Sequence, residues 1–459
     1  MDMPLPGTVP DLADPTMLGI AELAPLLKSG ALSPVTLMRS CLDRIARFDP
    51  GLRSFITVTS ERALAQASAA EAEIAAGHYR GPFHGIPYGL KDIVDAKGVV
   101  TTAHSRLMPG TPATDDAHVT KLLDAAGGIM LGKLGTFEFA LGGPSWDLPW
   151  PPPLNPWNTD FLPGGSSSGS GSAVAARFIP AAIGTDTGGS VRWPAACCGI
   201  VGLKPTYGLL SRRGVQPNTF SLDHCGPMTR TVRDCALMLA ACAGHDPLDP
   251  GSADEPIPDY AAALTGDITG LRIGLVRNWY ATDATAEVTA ATDRAAEMLA
   301  RLGAIVETIE LPDLGDFSDC KTLISMSELY TIHKPDLLTR PELFGAKLRQ
   351  RRHRRRLYPR RGLSERTTVA QRPGAPAAVG IQPLRCAGHR RLAQHRRSGR
   401  SQPFRLHAPR AEHDDAVLAG RRAGRIGADR VRRQRPADRH ADRRETLRRG
   451  HRAAHRRCL

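Results

Sequence analysis

Three short segments of the chain gather the residues that could do nucleophilic chemistry. Gly164-Gly165-Ser166-Ser167-Ser168-Gly169-Ser170 is one glycine-serine run, and Gly184-Thr185-Asp186-Thr187-Gly188-Gly189-Ser190 is a second. Gly85-Ile86-Pro87-Tyr88-Gly89-Leu90-Lys91-Asp92 lies upstream, and Ser190 stands 24 positions after Ser166. A serine hydroxyl is a weak nucleophile until a base takes its proton. Lysine can be that base only when neutral, so its pKa must fall by several units from about 10.4 through burial and the lack of counter-ions. Histidine is the other choice, and His84, His104 and His224 are available. Gly165 to Gly169 also satisfies G-x-S-x-G, the pattern of a nucleophile elbow, which should follow a buried strand directly. Asn158-Thr159-Asp160-Phe161-Leu162-Pro163 is no strand, so the match reads as an accident of low complexity. On its own, a Gly/Ser stretch is more often a flexible linker, and a lone lysine is a surface residue.

The elements that must position these segments follow from periodicity. Residues 17–48 read as two helices, with Ser33-Pro34 as the start signal of the second: a serine cap followed by proline at the first helical position. Leu37, Met38, Cys41, Leu42 and Ile45 then recur at helical spacing. Helices are also expected over 62–76, 117–126, 173–178 and 231–243, with strands over 128–134 and 179–183. Strands at 272–276 and 304–309 flank a helix at 286–302, a βαβ-like unit. From Gly81 the texture is Gly and Pro with short apolar runs, and 144–156 is a Pro/Trp-rich loop. The alternation of helices and short apolar strands indicates an α/β fold.

In order and spacing, the three segments resemble the amidase signature family, whose members carry G-I-P-x-x-x-K-D, G-G-S-S-G-G-S and G-[ST]-D-x-G-G-S. The flanks agree: Asn155-Pro156-Trp157-Asn158, Val191-Arg192-Trp193-Pro194-Ala195 and Gly202-Leu203-Lys204-Pro205-Thr206-Tyr207-Gly208. The resemblance runs from about residue 18 to about residue 350. It implies a twisted mixed β-sheet covered by helices on both faces. It also implies a Ser–Ser–Lys triad in which Ser190 is the nucleophile, Ser166 the bridging serine on a cis peptide bond after Gly165, and Lys91 the base. The backbone N–H groups of Thr187, Gly188, Gly189 and Ser190 would form the oxyanion hole. The implied substrate is a small amide, with no metal and no cofactor. The same triad serves a relative within the family, the glutaminase subunit of the tRNA-dependent amidotransferase. Asp186 and Arg192 are expected to form a structural ion pair, and Asp92 to accept hydrogen bonds within its loop. Two departures are local: Ser168 stands where the family has Gly, and Gly135 in Lys133-Leu134-Gly135-Thr136-Phe137-Glu138-Phe139 replaces an Asn.

The third departure is the C-terminal stretch. Residues 351–459 hold 32 Arg, no Lys and eight acidic residues, an excess of 24 positive charges. Removing that excess from the overall +14 leaves the first 350 residues at −10. Only Tyr358 and Phe404 are aromatic there, and neither helical nor strand periodicity is sustained. A basic arm normally mixes Lys with Arg. A shifted reading frame in a GC-rich gene gives the texture seen here. The expected organisation is therefore an amidase signature domain over 1–350, incomplete at its C-terminal side and for that reason expected to be inactive as written, and a disordered Arg-rich tail over 351–459. The reading from another class is a basic nucleic-acid-binding protein on an amidase scaffold, but aromatic interleaving and a zinc pattern are missing. The nine Cys lack C-x-x-C spacing and read as free thiols in a reducing compartment. No basic-then-apolar leader opens the chain and no run has membrane-spanning length, so a cytoplasmic protein is expected.

Overall fold

Ser33 begins the second helix as expected: its Oγ accepts from the N–H groups of Val35 and Thr36, and Pro34 needs no donor of its own. The structure, a computed structural model, describes residues 14–281 and 284–354, the last four by backbone alone. In chain order the helices and strands begin with α1 (Ile20–Lys28), α2 (Pro34–Leu52), β1 (Phe55–Val58), α3 (Ser60–Ala75), β2 (Pro87–Lys91) and α4 (His118–Ala125). Then come β3 (Ile129–Leu134), α5 (Ser168–Ala175), β4 (Ala181–Thr185), α6 (Arg192–Cys198), β5 (Val201–Gly202), β6 (Cys225–Thr229) and α7 (Val232–Cys242). The last are β7 (Arg272–Val276), α8 (Arg277–Tyr280), α9 (Ala286–Arg301), β8 (Ile305–Ile309), α10 (Leu314–Thr339) and α11 (Ala346–Arg354). α11 runs across the expected boundary at residue 350; the expected tail beyond it lies outside the described residues.

Six strands make one mixed sheet in the order β1-β3-β2-β4-β6-β5. β2 runs parallel to β3 on one side and to β4 on the other, while β1 and β6 close antiparallel on β3 and β4. Every residue of β2, β3, β4 and β6 is buried. The expected βαβ unit is present as the separate parallel pair β7–β8 with α9 between them. The main core joins Leu23, Leu37, Tyr88, Leu90, Leu131, Phe178 and Ile183.

Two expectations are corrected. α5 starts at Ser168, inside the glycine-serine run, five residues before the expected start at Ala173. Serine and glycine favour helix weakly, but burial decides here. Gly169 lies so close to Ser54 and Gly135 that a Cβ would sit 2.4 Å from the Ser54 carbonyl oxygen. The serines of α5 are satisfied by bonds to backbone carbonyls: Ser168 Oγ donates to Gly164 at 2.9 Å and Ser172 Oγ to Leu154 at 2.8 Å. The strand expected over 179–183 is shifted to Ala181–Thr185, in register with β2.

β2, β3 and β4 are the only three strands of the described sheet related by parallel pairing, and they end together at Lys91, Leu134 and Thr185. The carboxyl edge of parallel strands is where open α/β sheets place their sites.

Candidate active site

Lys91 ends β2 with its side chain completely buried. Its Nζ donates to Ser166 Oγ at 2.7 Å and to Thr185 Oγ1 at 2.8 Å. Among the described residues it forms no ion pair. Burial drives its pKa down to about 7; Asp223, Asp186 and Cys225 act in the opposite direction. A buried ammonium lacking a neutralising partner loses its proton readily.

Ser166 is 1% exposed, and the peptide bond between Gly165 and Ser166 is cis. Phe137 covers this bend: its N–H donates to the Ser166 carbonyl at 3.2 Å, and a Cβ on Gly165 would lie 2.2 Å from its ring. Ser190 is half-exposed, unlike Lys91 and Ser166. Its carbonyl accepts from Ser167 N–H at 3.2 Å, which fixes the second run against the first. The side-chain contact expected between Ser190 and Ser166 is not among the hydrogen bonds of the described residues; the two runs meet there through the backbone bond of Ser167 to Ser190.

Asp186 anchors the loop that carries Ser190. Arg192 grips it with two bonds, Nη2 to Oδ1 at 2.9 Å and Nε to Oδ2 at 3.0 Å. Gly189 N–H donates to Oδ1 at 2.6 Å and Val191 N–H to Oδ2 at 3.2 Å. Burial would raise the Asp186 pKa, but Arg192 and these backbone donors hold it at about 2. One expectation changes here: Gly189 N–H is spent on Asp186 and is not offered outward. The N–H groups of Thr187, Gly188 and Ser190 have no acceptor among the described residues. Thr187 turns its hydroxyl to the Asp223 carboxylate.

The alternative chemistry finds no support in the geometry. Ser167 is fully buried, and its Oγ is held by the backbone of Thr185, accepting at 3.1 Å and donating at 3.2 Å. His84 accepts from Arg80 N–H, His104 meets the Trp150 carbonyl and His224 meets Lys204; none contacts a serine. Asp92 accepts from Thr102 as expected and also pairs with Lys133 at 3.0 Å, both carboxylate and ammonium being fully buried. No cluster of His, Cys, Asp or Glu among the described residues could hold a metal, and no helix there is long and apolar enough to cross a membrane. Sequence reasoning missed Thr185 as a partner of Lys91 and Asp223 as a partner of Thr187. Thr185 stands inside the second glycine-serine motif; Asp223 had no signal beyond being an acid before β6.

The fold is that of amidase-signature proteins, a mixed sheet whose parallel strands end at a buried lysine beside two glycine-serine loops. The chain belongs to the amidase family, whose model matches residues 36–370. It is similar to the A subunit of glutamyl-tRNA(Gln) amidotransferase from Methylococcus capsulatus, 49% identical over 295 residues, 64% of this chain and 61% of that one. It thus spans about three fifths of the length of the curated relatives it matches. Among solved structures it resembles a member of a vestigial protein complex that reveals the evolutionary origins of an s-triazine catabolic enzyme, at TM-score 0.74 and 36% identity over 77% of both chains. The peptide amidase of Stenotrophomonas maltophilia matches at TM-score 0.63 and 37% identity, covering 70% of this chain and 68% of that one.

Proposed function

We propose that this chain carries the active site of an amide hydrolase that uses Lys91, Ser166 and Ser190. Neutral Lys91 takes the proton of Ser166 as Ser166 takes that of Ser190, and Ser190 Oγ attacks the amide carbonyl carbon. The oxyanion forms beside the free N–H groups of Thr187, Gly188 and Ser190. The relay returns a proton to the leaving nitrogen, releasing ammonia or an amine. Water then hydrolyses the acyl-Ser190 ester. The observation that carries this reading is the 2.7 Å bond from a desolvated lysine to Ser166. A fluorophosphonate should label Ser190 and leave Ser167 unlabelled, and S190A should abolish both labelling and ammonia release. Labelling at Ser167 would return the elbow reading to favour.

A second reading is favoured by the similarity to amidotransferase A subunits. In it the same residues draw ammonia from an amide donor for a complex of several chains. Ammonia release from glutamine that outpaces release from simple amides would favour it. A small-molecule amide in the cytoplasm is the substrate setting in both cases; nucleic acid binding by the acidic body is no part of either.

A further inference from the structure

We propose that Asp223 is a positioning residue for this site, tying the Thr187 turn to the 218–219 turn and carrying near Lys91 a negative charge that no ion pair among the described residues neutralises. The proposal rests on the reading of Lys91 as the base. Asp223 is 8% exposed. Oδ1 accepts the Thr187 hydroxyl, and Oδ2 accepts the N–H groups of Asn218 at 2.9 Å and Thr219 at 2.8 Å. Asn218 is fastened in turn to the Ala140 carbonyl through its Nδ2 at 2.9 Å. One carboxylate therefore holds Thr187, in the Ser190 loop, against a turn that is itself pinned to the segment after Phe139.

The charges around Lys91 come from three places. Asp186, after β4, is neutralised by bidentate Arg192. Cys225, at the head of β6, is a neutral thiol pushed up to about 12 by burial. Asp223, from the turn before β6, forms no ion pair among the described residues, and its charge favours the Lys91 ammonium. Burial raises the carboxyl's own pKa, while Thr187 and the two backbone donors favour its ionised form. Asp223 thus resists the desolvation that strips the proton from Lys91.

The sign of its removal follows. Acylation needs neutral Lys91, so its rate climbs with pH through the lysine's titration. Loss of the Asp223 charge makes the ammonium less stable and moves that climb to lower pH. The test measures fluorophosphonate labelling of Ser190 against pH in the full chain, D223N and T187V. D223N should reach a lower plateau with its midpoint displaced to lower pH. T187V, which breaks the tie but keeps the charge, should lose on the order of tenfold in plateau rate, less than the 10²–10³ typical of a lost oxyanion donor, with its midpoint unmoved. A D223N midpoint that stays or rises overturns the charge role. T187V labelling at the wild-type rate overturns the tie, and does so even where D223N fails to fold. A wild-type chain that is never labelled at Ser190 instead sinks the underlying reading of the site.

Discussion

Lys91 is held in a place that opposes its charge. Its folded pKa of about 7 lies below the unfolded value of about 10.4. Between those pH values the unfolded chain holds a proton that the folded chain lacks, so stability rises with pH across that window. Lys91→Met should therefore stabilise the fold by on the order of 2–4 kcal/mol at or below pH 7, with the difference shrinking toward pH 10. Chemical denaturation at pH 6 and pH 9.5 checks this; an equal gain at both would contradict the titration. The same variant should lose on the order of 10²–10⁴-fold in Ser190 labelling, the usual worth of general-base help. The meeting of Lys91 with Ser166 was legible because the motifs that carry them occur in order at fixed spacing. The Gly189 donor was misjudged because the sequence does not reveal which N–H groups Asp186 consumes.

In α5, close packing sets what each position tolerates. Gly169 touches two backbones, Ser54 and Gly135, and backbone cannot step aside as a side chain can. Gly169→Ala should cost about 2 kcal/mol or more, read as a fall in urea midpoint. Ser168→Gly should cost only about 1 kcal/mol, the helix penalty of glycine plus one hydroxyl bond. Ser168 is tolerated because its backbone is not left-handed, and Gly135 because Pro153 fills the space where a side chain would project, 2.7 Å from where a Cβ would stand. α10 and α11 are joined to the site side by Phe344, fully buried against Phe139 and His333, and by Gly345 N–H donating to Glu138 at 2.9 Å. Phe344→Ala should cost about 3–5 kcal/mol and raise hydrogen exchange in α10 and α11 first. α10 was not anticipated: its apolar residues form no clear stripe, Pro335 interrupts it, and only Ser325, Leu329, His333 and Leu337 are buried.

At the scale of the molecule, periodicity found helices whose apolar faces pack against one side, such as α2 and α7, and the βαβ unit of β7, α9 and β8. It did not find β1, β2 or β6. β2 reads Pro-Tyr-Gly-Leu-Lys, with no alternation, because both of its faces are covered and its glycine is needed where Leu134 and Ile179 press in. Non-local pairing of this kind leaves no local trace. Charge was legible but uneven: the first 350 residues are acidic and the excess of arginine lies beyond them. We propose that the arginine-rich stretch beyond residue 370, where the family match ends, is a segment foreign to the amidase domain. Polyanion binding by the whole chain should then weaken steeply with salt, as counterion release requires, while saturating DNA leaves the rate of Ser190 labelling unchanged. A labelling rate that follows DNA occupancy would join the two segments functionally.

The depth of Lys91 also decides what reagents can find. A succinimidyl ester added in excess will acylate surface amines, yet the Lys91 amine sits behind Ser166 and Thr185 with no atom facing water. Exhaustively modified protein should keep its reactivity toward fluorophosphonates, and peptide mapping should return residue 91 as a clean gap in the footprint. Mild unfolding would erase that gap. The gap therefore serves as a stain for the intact site, readable with no substrate in hand.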